Sequence, residues 1–178
     1  MINFENIEYL RIGNERQRLA YKVLSKGRIL EVLKEFDPIL AGTVPINIDI
    51  ETSDLDILCY WTDKQYFLTT INRLFSEERE FHIKQVDGLN ATVVTFRMED
   101  FEIEIFGQNI PTRQQNGYRH MVIEHRLLCR FGEEFRLKII ELKKQGYKTE
   151  PAFALALELR GDPYSELLKY EDESLFKA

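Results

Sequence analysis

Histidine and cysteine are scarce in this chain, with three and two among 178 residues, and the first exclusions follow from that. Cys59 and Cys129 are far apart and lack the paired spacing of a zinc site or a disulfide framework, so they read as reduced thiols of a cytoplasmic protein. His120 and His125 are five residues apart and do not share a helix face, which argues against a zinc pair. No apolar run approaches the roughly 20 residues that a membrane span needs. The opening MINFENIEYLRIGNE has no basic-then-apolar leader. A surplus of base is also missing: 24 Lys and Arg stand against 30 Asp and Glu, a net charge of −6. A broad nucleic-acid surface needs clustered cations, so polymerisation on DNA is not expected. An anionic nucleotide is still allowed, where a metal held on acidic side chains neutralises its phosphates. Repeats, low-complexity stretches and Pro- or Gly-rich linkers are absent as well. With 44% apolar and 30% charged residues, the expectation is one globular domain over 1–178.

What is present divides into three parts. Residues 1–36 read as helical. Asn14 is a good N-cap, Leu19, Val23 and Leu24 form an apolar stripe, and Gly27 is a stop. A second helix is expected over Arg28–Phe36, broken by Asp37-Pro38. Residues 37–107 read as a small, largely antiparallel sheet. Its first strand is Ile39–Ala41, and a helix runs from the capping pattern Thr62-Asp63-Lys64-Gln65 to about Phe75. Phe81–Val86 and Ala91–Met98 then flank a hairpin turn at Asp87-Gly88, and FEIEIF at 101–106 alternates strictly. Glu102 and Glu104 therefore share one face of that last strand. Residues 108–178 return to helix: Tyr118–Phe131, Glu133–Lys144, and two shorter segments near 150–159 and 163–170 opened by Pro151 and Pro163. The acidic end from Glu171 is expected to fray. The fold class is α+β, a sheet with flanking helices and a C-terminal helical cluster whose surface could dimerise.

The stretch Leu40–Tyr60, LAGTVPINIDIETSDLDILCY, organises the rest. Strand side chains alternate, so Asp54 and Asp56 point one way while Leu55, Ile57 and Cys59 point the other. Two carboxylates about 5 Å apart repel by roughly 3 kcal/mol at an effective dielectric near 20, and such a pair invites a metal ion. Gly42 lets the backbone approach a ligand closely, and Thr43 adds a hydroxyl beside it. Taken singly these features mean little. An Asp-x-Asp is usually a solvated strand face, alternating FEIEIF suits any half-exposed strand, and Gly-Thr is a turn. Asp49 and Glu51 read as loop decoration, and Tyr118-Arg119-His120 as helix surface with one packing aromatic.

The ordered combination carries more. Gly42-Thr43, ten residues, Asp54-Leu55-Asp56-Ile57, and a later acidic strand with Glu104 or, alternatively, Glu102 resemble the nucleotidyltransferase superfamily of the polymerase-beta type. Thr43 stands where that pattern usually has Ser or Gly. The segments LAGTVPINIDIETSDLDI, FEIEIFGQNIPTRQQNGYRHMVIEHRLL and TEPAFALAL followed by GDPY also resemble a bacterial domain-of-unknown-function family of the same type.

The resemblance implies a nucleotidyltransferase-like mixed sheet. It implies a two-metal site for Mg²⁺ or Mn²⁺, with Asp54, Asp56 and Glu104 as ligands and catalytic carboxylates, and a nucleoside triphosphate as donor substrate. Gly42 and Thr43 would receive phosphates, Glu104 would help accept the proton of a hydroxyl acceptor, and Arg119 and His120, or Gln108 and Arg113, would reach the nucleotide or acceptor. The acceptor is left open between a small molecule and a protein hydroxyl. Two other functions stay in view: a catalytically inactive module of this fold that binds a nucleotide or a partner protein, and metal-dependent phosphoester hydrolysis.

Overall fold

The computed structural model of the chain describes residues 2–172. Six helices, α1 (Glu15–Lys26), α2 (Ile29–Val32), α3 (Lys64–Phe75), α4 (Asn116–Lys144), α5 (Thr149–Ala156) and α6 (Pro163–Leu168), accompany five strands. The strands are β1 (Ile39–Ala41), β2 (Leu55–Tyr60), β3 (Arg79–Val86), β4 (Ala91–Met98) and β5 (Phe101–Gln108). They form one mixed sheet in the order β1-β2-β5-β4-β3. β2 and β5 run parallel, and every other neighbouring pair is antiparallel.

Strand alternation gives the sheet two apolar faces. Leu55, Ile57 and Cys59 of β2, with Ile103 and Ile105 of β5, pack among α1, α2 and α3. Leu58, with Phe106 beside it, packs on the opposite face against α4, α5 and α6. The carboxylates interleaved with those residues therefore open toward the C-terminal helices, on the face where the apolar layer is interrupted.

Several local expectations shift. Asn14 caps α1 in a full capping box with Gln17, but the buried stripe is Gln17, Ala20, Val23 and Leu24. Leu19 is 43% exposed. The helix expected over 28–36 splits into α2 and a 3₁₀ turn at Lys34–Phe36, bracketed by Arg28 and Asp37 in left-handed conformations. The cap of α3 is Asp63, which accepts from the Tyr66 N–H at 3.0 Å. α5 starts after Lys148 and ends at Ala156, short of 159. The two helical segments on either side of Gly132 make up α4, with Gly132 at φ 76° and ψ −162° turning the axis between them. Of the acidic end expected to fray, residues 173–178 lie outside the described residues. Glu171 closes a 3₁₀ turn and pairs with Arg119.

Candidate functional site

A cleft of about 410 Å³ opens between the β1–β2 end of the sheet and helices α4 and α5. Its geometry starts at Gly42, just past β1, in the left-handed region at φ +78°. A Cβ at this position would stand 2.0 Å from Asp56 Oδ2, so only glycine leaves that oxygen its place. Thr43 follows and donates its hydroxyl to Ser53 Oγ at 3.1 Å, while Ser53 Oγ also accepts from the Ile50 N–H at 2.9 Å. Arg16 of α1 donates to the Ser53 carbonyl and lies 4.4 Å over the Phe101 ring. Gln17 donates to the Val44 carbonyl at 2.8 Å, and Asn14 to Asn47 and Asp49 at 2.7 and 2.9 Å. The loop between β1 and β2 is thus held from α1, and it delivers Asp54 just ahead of β2 and Asp56 within it.

Asp56 sits directly beside Glu104 across the parallel β2–β5 pair. The two carboxylates and Asp54 all line the cleft. Burial, then the charges of Asp54 and Glu104, push the Asp56 carboxyl well above its usual range, with Lys143 pulling the other way. Burial, then Asp54 and Glu102, raise Glu104 as well. An acidic site whose members raise one another is stabilised by a cation.

Six of the residues marked in the sequence therefore meet here: Gly42, Thr43, Asp54, Asp56, Glu104 and His120. His120 is buried and already engaged, its Nε2 donating to the Tyr164 carbonyl at 3.0 Å and its Nδ1 3.4 Å from Glu150. Arg119 is placed elsewhere, in a shallow depression on the other side of α4, with two 2.7 Å hydrogen bonds to Glu171. Glu102 is exposed and stands opposite Arg97 of β4. Gln108 donates to the Leu89 carbonyl, and Arg113 is clamped between Glu5 and Asp37, so neither lines the cleft.

The cleft also contains side chains that pattern reading missed. Lys143, near the end of α4, is 7% exposed. Burial pulls its ammonium down to about 8, against the charges of Glu124, Asp49, Asp54 and Asp56, which hold it up. Glu124, from the first half of α4, is 3% exposed, and its Oε1 has no hydrogen-bond partner among the described residues. Burial, then Glu150, push its carboxyl well above the usual range. A signal was present: Glu124 falls between the buried Met121 and Leu128, and Lys143 follows Ile139 by four, so both occupy positions that the helical period assigns to the core.

Among the described residues, no group of three or more His, Cys, Asp or Glu side chains is gathered closely enough to hold a metal ion as they stand. The donor set nonetheless suits a hard divalent cation. It consists of carboxylate oxygens on one face of the sheet, and Gly42 keeps Asp56 Oδ2 clear of side-chain atoms on that flank.

A family model described as a domain of unknown function, DUF4269, matches residues 22–170. The chain belongs to the DUF4269 family. No curated protein matches this DUF4269 chain by sequence. Among solved structures, Cid1, described as an RNA terminal uridylyl transferase, is similar over 74% of this chain and 41% of its own, with a TM-score of 0.56 at 11% identity. The GLD-2/RNP-8 complex is similar over 87% and 63%, with a TM-score of 0.53 at 13% identity. The polymerase core of TRAMP, an RNA surveillance complex, is similar over 90% and 50%, with a TM-score of 0.53 at 14% identity. The DUF4269 chain thus spans about two fifths of the Cid1 chains it matches. At these identities the likeness is one of fold, and the fold is nucleotidyltransferase-like: a five-stranded mixed sheet with flanking helices. Among the described residues no helix is long and apolar enough to cross a membrane.

Proposed function

We propose that this DUF4269 protein is a metal-dependent nucleotidyltransferase that moves a nucleoside monophosphate from a nucleoside triphosphate to a hydroxyl acceptor. The observation that carries the reading is the pairing of Asp56 with Glu104 across parallel strands, with Gly42 packed against Asp56. Asp54, Asp56 and Glu104 are the residues that would hold Mg²⁺ or Mn²⁺. Bound there, divalent cations lower the pKa of an attacking hydroxyl and neutralise the triphosphate. The protein's own groups do the rest. The Gly42-Thr43 backbone offers N–H donors to the phosphates, and the braced Ser53 loop fixes where they point. Lys143 adds a buried positive charge on the facing wall, where low polarity strengthens its attraction for phosphate oxygens. Glu104, side by side with Asp56 on the cleft wall, is placed to take the acceptor hydroxyl proton. The solved structure of the poly(U) polymerase Cid1 with Mg and 3′-dATP lends support at the level of fold.

The test is turnover. Wild-type protein with Mg²⁺ and each nucleoside triphosphate should release pyrophosphate in the presence of candidate hydroxyl acceptors. Asp56→Asn should release none while keeping its fold by circular dichroism. Equal release by the variant would overturn the reading.

A second reading is a module of the same fold that binds nucleotide or a partner protein without turnover. It is favoured by the carboxylates not being gathered as a ready ligand set. Nucleotide binding without pyrophosphate release would select it.

A further inference from the structure

The cleft contains more negative charge than the proposed reaction uses. Five carboxylates line it, Asp54, Asp56, Glu104, Glu124 and Glu150, against the single ammonium of Lys143. Two divalent cations and a fully ionised nucleoside triphosphate cancel each other's formal charge, so the donor complex does not consume this excess. Asp54, Asp56 and Glu104 belong to the metal wall, and the ammonium of Lys143 is shared between Glu124 and the acidic groups Asp49, Asp54 and Asp56. Glu124 and Glu150 stand on the helical wall, contributed by α4 and α5, with no more than a share of that one ammonium between them.

Glu124 is the decisive residue. It is 97% removed from solvent, it lines the cleft, and one of its oxygens is buried without a hydrogen-bond partner among the described residues. An unmet buried acceptor of this kind is destabilising, and more so when charged. Its surroundings offer only partial relief: the charge of Lys143 favours its ionisation while that of Glu150 opposes it, and neither supplies the missing hydrogen bond. Apolar surface flanks it on both sides: Met121 on the helical wall, and Leu58 and Phe106 on the sheet, line the same cleft.

We propose that Glu124, with Glu150 beside it, binds a protonated amine carried by the acceptor, so that the acceptor is a small molecule bearing both an ammonium and a hydroxyl group. This rests on the transferase reading for the hydroxyl, whereas the amine site stands on its own geometry. An ammonium brings three N–H donors and a positive charge. It satisfies the orphaned Glu124 oxygen and offsets the Glu124–Glu150 repulsion, while the carbon body of the acceptor lies on Met121, Leu58 and Phe106. Glu124 and Glu150 are binding residues here and take no part in the transfer.

The experiment is a thermal titration of the full chain with glucosamine, ethanolamine and spermidine, each with and without Mg²⁺ and ATP. Glucose and ethylene glycol serve as matched neutral probes. The amines should raise the melting temperature in a saturable way while the neutral probes do not. Glu124→Gln and Glu150→Gln, which keep shape and size, should each weaken the amine effect at least tenfold. Stabilisation by Mg²⁺ and ATP should persist in both variants, which shows that loss of the amine effect is not loss of the fold. Amine stabilisation equal to that of the neutral probes, or unaltered in Glu124→Gln, overturns the proposal. Loss of the nucleotide effect in wild type together with a retained amine effect overturns the transferase reading and leaves the amine site standing.

Discussion

The Cβ that Gly42 lacks would stand 2.0 Å from Oδ2 of Asp56, closer than any two non-bonded atoms settle. The turn after β1 and the acidic strand β2 are therefore fitted to each other, and neither can change alone. Gly42→Ala combines that collision with a left-handed backbone that costs an L residue about 1–2 kcal/mol. The variant should fold with a melting temperature several degrees lower. It should also lose stabilisation by Mg²⁺ and nucleoside triphosphate, because Asp56 is displaced. A variant with wild-type ligand stabilisation would show that this oxygen is not part of the site.

Lys143 should matter to the triphosphate and little to the metal. A charge-assisted hydrogen bond to a phosphate is worth about 1.5–3 kcal/mol. Lys143→Met should therefore weaken nucleotide affinity by ten- to a hundredfold, measured by calorimetry, while Mg²⁺ alone still stabilises the variant. Unchanged nucleotide affinity would remove Lys143 from the proposed phosphate site.

The cleft carboxyls give the metal-free protein a pH dependence of definite sign, opposed below about pH 7 by His125, whose imidazole burial pulls down. Asp56, Glu104 and Glu124 all titrate above the ordinary carboxylate range when folded. As pH rises above about 4, the unfolded chain gives up protons that the folded chain still holds, so stability falls until the raised folded values are passed. Lys143, pulled down to about 8, acts in the opposite direction, and only from about 8 up to the free-lysine range. The melting temperature of metal-free protein should decline from pH 5 to pH 8, and Mg²⁺ should restore more of it at pH 8 than at pH 5. A flat profile with no Mg²⁺ effect would contradict the electrostatic picture of the cleft.

Much of this site was legible because strands have a period of two. Asp56 and Glu104 could be placed on the faces of their strands from alternation alone, and parallel pairing of β2 with β5 brought them side by side. Helices were harder to read. Adjacent residues on a helix are turned about 100° apart, so His120 faces the cleft while Arg119, one position earlier, reaches Glu171 on the other side. Glu124 and Lys143 were passed over because a charged residue within a helical run reads as surface. Tertiary packing buried both instead. Gln17 shows the same effect in small: a polar residue is buried because it closes a capping box and donates to the Val44 carbonyl, while Leu19 is turned to solvent.

The break in α4 should be specific to glycine. Gly132 combines φ 76° with ψ −162°, a region that residues with a Cβ enter only at a cost of about 1–3 kcal/mol. Nothing stands within 4 Å of its absent Cβ, so the cost is conformational and not steric crowding. Gly132→Ala should lower the melting temperature, and because the break sets Lys143 relative to Glu124, it should also weaken nucleotide stabilisation. An unchanged melting temperature would show that the bend is not held in solution.

The central claim is that Asp56 anchors a working metal–nucleotide site, and ligand-induced thermal stabilisation tests it without any knowledge of the acceptor. Wild type and Asp56→Asn would be melted with Mg²⁺ and each nucleoside triphosphate in turn. A metal- and triphosphate-dependent rise in the wild-type melting temperature that is absent from Asp56→Asn is the result predicted here. No rise with any triphosphate, or the same rise in both proteins, would contradict it.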